Sequence, residues 1–177
     1  MPPVEIKPGV LRFKGEIVQG FLASPDWDLL MEGASFYSEH NSTVRVAGDG
    51  TTKGVMTGTF SITRPDGSQL AGTFLGKITG NLFSGNITDE GYWMATKNTG
   101  VFKDIKAWGT WRAVLALGTV LVPGVGEITT LNGPLTWNGK YSIPKGKAKF
   151  EADEFQQAFD RASNSYGDIG RQLDPSW

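Results

Sequence analysis

Trp111 stands between Gly109 and Ala113 on a stretch whose odd positions read Ala107, Gly109, Trp111, Ala113, Leu115 and Leu117. A large ring flanked by very small residues leaves space beside it. If that face points into the fold, Trp111 is a wall carrying one N–H donor. The even positions carry Trp108, Thr110, Arg112, Val114 and Ala116. Arg112 is therefore a rim or surface residue, unless a bulge turns it inward. There its planar fork would hold a carbonyl-rich or anionic group. Phe60, Phe74, Trp137 and Tyr141 are further inward candidates, and Tyr92 competes with Trp93 and Met94 for a face that the pattern does not settle. Two readings of these aromatics stand. They line a ligand cavity, or they fill a solid core as small barrels can. The glycines and alanines beside the rings favour the cavity.

Acid–base chemistry has few candidates. His40 is the one histidine, so a Ser-His-Asp triad would need it, and no Gly-x-Ser-x-Gly elbow is present. Beside Asn41 it reads as an ordinary loop residue. Asp89-Glu90-Gly91 reads as a turn, and Asp26 and Asp28 flank Trp27 in a loop. Glu32 falls on the face of Leu30 and Phe36. Buried there, its carboxyl would keep its proton and act as an acid; the alternative is a solvated glutamate on a barrel exterior. A histidine-based metal site lacks partners. The absence of cysteine removes thiolate nucleophiles, disulfides and cysteine-based metal sites. Neither a dinucleotide-binding glycine motif nor a P-loop occurs. No cofactor and no metal are expected.

The elements that must position these residues are short strands. Leu70, Gly72, Phe74, Gly76 and Ile78 share one face, as do Met56, Phe60 and Ile62, and Leu135, Trp137, Tyr141 and Ile143. Such period-two alternation is the pattern of half-buried strands. Gly48-Asp49-Gly50, Pro65-Asp66-Gly67, Thr79-Gly80-Asn81 and Pro123-Gly124 punctuate it as turns. Roughly eight to ten strands fit between Val10 and Ile143, which argues for a sandwich or barrel. Phe155, Ala158, Phe159 and Ala162 then change to helical spacing over Phe150 to Ala162. Asn164 to Trp177 read as an extended tail. The expected fold is all-β: a single antiparallel, roughly eight-stranded, calycin-like barrel with a C-terminal amphipathic helix. Residues 1–149 form the barrel, and residues 150–177 form a helix and tail packed on it or capping it.

Composition narrows the function. The 177 residues carry a net charge of −1 and include 24 glycines. No basic stripe suits a nucleic acid. No signal-peptide core and no apolar run long enough for a membrane span appear. The expectation is a soluble, cytoplasmic protein.

The segments Thr99-Gly100-Val101 and Trp108-Gly109-Thr110-Trp111-Arg112 resemble strands of the small β-barrel cyclases of bacterial spirotetronate polyketide pathways, which belong to the allene-oxide-cyclase-like barrels. Ser61 to Gly67 resembles a strand ending in an Arg-Pro turn. Gln69 to Ile78, followed by Gly85 and Gly91-Tyr92-Trp93, resembles the next hairpin. The resemblance covers residues 55 to 118. It implies an antiparallel barrel, often a homodimer, with a capped apolar cavity. It also implies a cofactor-free intramolecular [4+2] cycloaddition of a linear polyketide-type substrate. Trp111 matches the cavity tryptophan and Phe74 a pocket-lining aromatic, whereas Gly109 stands where the family pattern has a polar side chain. The expected function is therefore a Diels-Alderase-type cyclase with Trp111 catalytic. Phe60, Phe74, Tyr92, Trp137, Tyr141, Arg112 and Glu32 are the expected substrate-binding residues. The alternative is a lipocalin-like carrier for an apolar small molecule. A third reading is a solid barrel that acts in assembly through its helix.

Overall fold

The computed structural model describes residues 3–21, 33–124, 126–142 and 147–173. Nine antiparallel strands form one sheet: β1 Val4–Lys7, β2 Val10–Phe21, β3 Ser35–Val46, β4 Thr51–Thr63, β5 Gln69–Asn81, β6 Asn86–Ala95, β7 Lys106–Val122, β8 Gly126–Asn132 and β9 Leu135–Ser142. A 3-10 turn, Gly100–Phe102, lies between β6 and β7, and helix α1, Lys147–Leu173, follows β9. The Asp49 and Asp66 turns form as expected. Thr79-Gly80-Asn81 instead continues β5, and the chain reverses after it, where Gly85 N–H donates to the Leu82 carbonyl at 3.2 Å.

Each strand pairs with the next from β1 to β8. The long β7 pairs with β6 from Ala107 to Ala116, with β8 from Ala116 to Val122, and with β9 from Lys106 to Ala113. β8 and β9 therefore lie end to end along one strand. Gly133 and Pro134 join them, and the Pro134 carbonyl accepts the Val114 N–H at 3.2 Å.

The sheet curls into a half-barrel. Four strands separate β3 from β9 in the pairing order, yet Phe36 on β3 and Trp137 on β9 have ring centroids 5.5 Å apart. Among the described residues β1 and β2 make no ladder with β9. A seam thus replaces the closed ladder of a full barrel. Alternation holds through the curl: Phe36, Met56, Phe60, Ile62, Leu70, Phe74, Ile78, Trp93, Ala107, Trp111 and Ala113 pack together on the concave face.

Helix α1 lies on the convex face. Phe159 packs there with Leu75, Met94 and Trp108, and Ala162 and Tyr166 flank them. The helix runs well past the expected end at Ala162. Its stripe continues at three- and four-residue spacing through Phe159, Ala162, Tyr166 and the buried Gly170, while Ser163, Asn164 and Ser165 stay exposed. Polar residues that resemble breakers thus occupy the solvent face. Burying Phe159 contributes about 2 kcal/mol. Near the far end, Lys7 Nζ donates to the Gln172 carbonyl at 3.1 Å.

Candidate functional site

The concave face has an aromatic end and a polar end. At the aromatic end Trp137 meets Phe36, Phe60 and Trp93, with centroids 5.5, 4.9 and 5.2 Å away. Phe60 also meets Trp93 edge-on at 5.8 Å. Such edge-to-face pairs add to the burial of each ring. Phe74 and Trp111 form a second edge-to-face pair, centroids 5.7 Å apart, and Phe74 reaches the His40 ring at 5.9 Å.

The glycines of this face serve the rings. A Cβ on Gly76 would stand 2.5 Å from Trp111 Cζ2, and one on Gly58 would stand 2.8 Å from Phe74 Cε1. A Cβ on Gly139 would collide with Trp93, and one on Gly109 with the Asn138 carbonyl. The expectation that small residues leave space beside Trp111 therefore needs correction. The neighbouring strands are small so that rings can lie on them and backbones can approach.

The three concave indoles differ in their N–H groups. Trp93 Nε1 donates to the Asn138 carbonyl at 3.2 Å, and Trp111 Nε1 to the Leu75 carbonyl at 3.3 Å. Trp137 Nε1 is buried without a partner among the described residues. The donor expected of Trp111 is engaged, and the unspent one belongs to Trp137.

The polar end gathers residues that sequence reasoning placed elsewhere. His40 is in the middle of β3, with a side chain only 11 % exposed, not in a loop. Asp89 is in the middle of β6, not in a turn, and is 6 % exposed. Glu16 joins them from β2. Its Oε2 lies 3.3 Å from His40 Nε2 and accepts a hydrogen bond from Ser42 Oγ at 2.7 Å. His40 Nδ1 and Asp89 Oδ1 are buried without partners among the described residues. Burial pushes the Asp89 carboxyl up to about 7; His40 opposes the rise and the Glu16 carboxylate adds to it.

A β-bulge aims Glu16. Phe13 pairs with Ser42 and Glu16 with His40, so Lys14 and Gly15 together oppose Asn41. Gly15 has φ +63°, where a side chain is strained, and its N–H donates to Asn41 Oδ1 at 3.0 Å. The extra residue reverses the parity of the strand. Glu16 turns onto the concave face, and Ile17 turns out to 58 % exposure.

The expected site residues divide. Trp111, Phe60 and Phe74 are buried on the concave face, and Trp137 is half-buried there. Tyr141 shares their register opposite Ala107 but is 69 % exposed at the sheet edge. Tyr92 lies on the convex face beside α1, and Arg112 is exposed on that same face. Both are therefore turned away from the concave residues by strand parity. Glu32 lies outside the described residues. Of the residues that reasoning missed, Glu16 was concealed by the bulge, whereas the alternation Ile87, Asp89, Gly91, Trp93, Ala95 could have placed Asp89.

The seam is apolar. Val18 follows Glu16 on the concave face of β2, and Leu135 precedes Trp137 on that of β9, exposed by 44 % and 40 %. A cleft of about 570 Å³ opens beside α1, lined by Glu39, Asn41, Thr57, Thr59, Thr73 and Phe159, and it also touches His40 and Phe74. Its walls mix threonine, asparagine and glutamate with Phe74, Leu75 and Phe159. Among the described residues no three histidine, cysteine, aspartate or glutamate side chains gather to hold a metal, and no helix is long and apolar enough to cross a membrane. Comparison with family models, with curated proteins and with solved structures finds no match.

Proposed function

We propose that the concave face is the reaction surface of a cofactor-independent cyclase that folds a linear, polyketide-type chain for an intramolecular [4+2] cycloaddition. One observation carries this reading: an apolar aromatic floor in which, among the described residues, the donor Trp137 Nε1 is buried and unspent. A buried N–H without an acceptor costs about 1–3 kcal/mol. A substrate carbonyl would remove that cost and anchor an otherwise apolar molecule. Electron density that grows on that carbonyl as the ring closes would strengthen the bond in the transition state. Val18 and Leu135, apolar and exposed on the concave face of the two sheet edges, give an apolar entry. Phe60, Phe74 and Trp111 shape the floor, and the resemblance of residues 55 to 118 to spirotetronate cyclases implies a cavity role for Phe74 and Trp111. A pericyclic step transfers no proton to the protein, so preorganisation supplies the rate.

The test is conversion of a linear polyketide bearing a diene and an alkene to an isomer of identical mass. Trp137→Phe keeps a ring and removes the donor. Turnover is expected to fall about 100-fold or more, the scale of one lost transition-state donor, while the fold keeps its stability. Unchanged turnover in Trp137→Phe would sink the donor role. Binding without conversion would turn the assignment to a carrier.

A further inference from the structure

The polar end holds more chemistry than a shape-driven cyclisation uses. Glu16 on β2, His40 and Ser42 on β3, and Asp89 on β6 come from three strands, and Glu16 Oε2 joins His40 to Ser42. A carboxylate beside Nε2 favours the tautomer with its proton on that nitrogen and leaves Nδ1 a lone pair. Ser42 and the Lys14-Gly15 bulge fix that carboxylate. On the other side Asp89 is buried and leaves Oδ1 unpartnered. Glu16 and His40 are the charged groups that act on it, and its partners on β5 and β7 are the apolar Ile78 and Ala113. His40 and Asp89, a desolvated base and a desolvated acid, thus face the same concave side, each with an unspent atom. Buried atoms of this kind are rare in folded proteins and call for a partner.

We propose that Glu16, His40 and Asp89 form a proton-transfer centre for apolar ketones with an acidic α-C–H, interconverting keto–enol or double-bond isomers. In the forward half, His40 Nδ1 takes the α-proton and the C–H electron pair becomes the C=C bond of the enol. The carbonyl π pair moves to oxygen, which takes the proton of Asp89. Asp89 is left as carboxylate and His40 as imidazolium beside Glu16. In the return half, the enol oxygen gives its proton back to Asp89 and C=O reforms. Carbon then takes the proton from Nδ1, at the original position or at the far end of a dienol. The protein returns to its starting state and consumes no oxidant, reductant or co-reactant. The raised pKa of Asp89 keeps its proton available near neutral pH, where an acid catalyst works best. This centre shares the concave face with the proposed cyclase but does not depend on the cycloaddition.

The experiment is α-hydrogen exchange of 2-phenylcyclohexanone in deuterated water, followed by mass spectrometry. Exchange with the protein is expected to run well above the buffer rate and to fall about 100-fold or more in His40→Gln and in Asp89→Asn. Exchange at the buffer rate, or undiminished in either variant, overturns the proposal. A second readout needs no ligand. The single histidine makes nitrogen-15 NMR unambiguous. Nε2–H with a bare Nδ1 is expected; an Nδ1–H tautomer overturns the proposal. If exchange persists while linear polyketides are recovered unchanged, this centre stands and the cyclase falls. If His40→Gln loses exchange but still cyclises, the two activities are separate.

Discussion

Replacing Asp89 by asparagine keeps the shape of the side chain and removes its charge. In the fold, burial lifts the Asp89 carboxyl from an ordinary 3.8 to about 7. Between these values the native protein holds a proton that the unfolded chain has released. The contribution of Asp89 to stability is therefore complete below about pH 4, falls as pH rises, and is lost above about pH 7. At about 1.4 kcal/mol per pH unit, the loss is about 3 kcal/mol by pH 6 and about 4 kcal/mol by pH 8. The Asp89→Asn variant would be free of this dependence. The measurement is urea unfolding of both proteins at pH 4, 6 and 8, followed by the fluorescence of the six tryptophans. The two are expected to be nearly equal at pH 4, and the variant to be more stable by about 4 kcal/mol at pH 8. Subtraction removes the contributions of carboxylates common to both. Parallel curves from pH 4 to pH 8 would mean that Asp89 ionises in the fold like a solvated carboxylate, and the burial argument would fail.

Two further substitutions test how the faces are packed. Gly76→Val drives a branched side chain into the Trp111 ring; it is expected to cost about 2 kcal/mol or more and to change the near-ultraviolet dichroism of the indoles. Unchanged dichroism would show that the ring does not lie on Gly76. Phe159→Ala empties the contact among Leu75, Met94 and Trp108; it is expected to cost about 3 kcal/mol in urea unfolding and to raise binding of an apolar dye. A loss below about 0.5 kcal/mol would mean that α1 does not dock on the convex face.

The strands that carry the aromatic floor were legible because period-two alternation is a direct record of sheet faces. Leu70 to Ile78 and Met56 to Ile62 read correctly for that reason, and the face of Trp111 followed from its odd neighbours. The polar end was hidden by two physical circumstances. Asp89-Glu90-Gly91 has the composition of a turn, yet its backbone ladders pair with β5 and β7 on both sides. His40 alternates with Phe36 and Val44, but the concave positions between them are Ser38 and Ser42, so the face does not look buried. Helix α1 was cut short because Ser163 to Ser165 look like a loop until Tyr166 and Gly170 show that the stripe continues. The spacing also could not tell a hollow face from a filled one. Gly76 and Gly58 look like room in the sequence and are beds for rings in three dimensions.

The Lys14-Gly15 bulge has a mutational consequence. Every side chain of β2 beyond it owes its face to one surplus residue. Gly15→Val would oppose the φ of +63° that the bulge needs; pairing straight through would then set position 15 opposite His40 and exchange the two faces from Glu16 to Phe21. Ile17 would then enter opposite Ser38, and Glu16 would leave for solvent. The polar end would become a continuation of the aromatic floor, and its chemistry would vanish without any change to the residues of β3 or β6. One substitution therefore separates an interior able to move protons from one able only to hold oil, and relatives of this chain can be sorted by whether they keep that glycine.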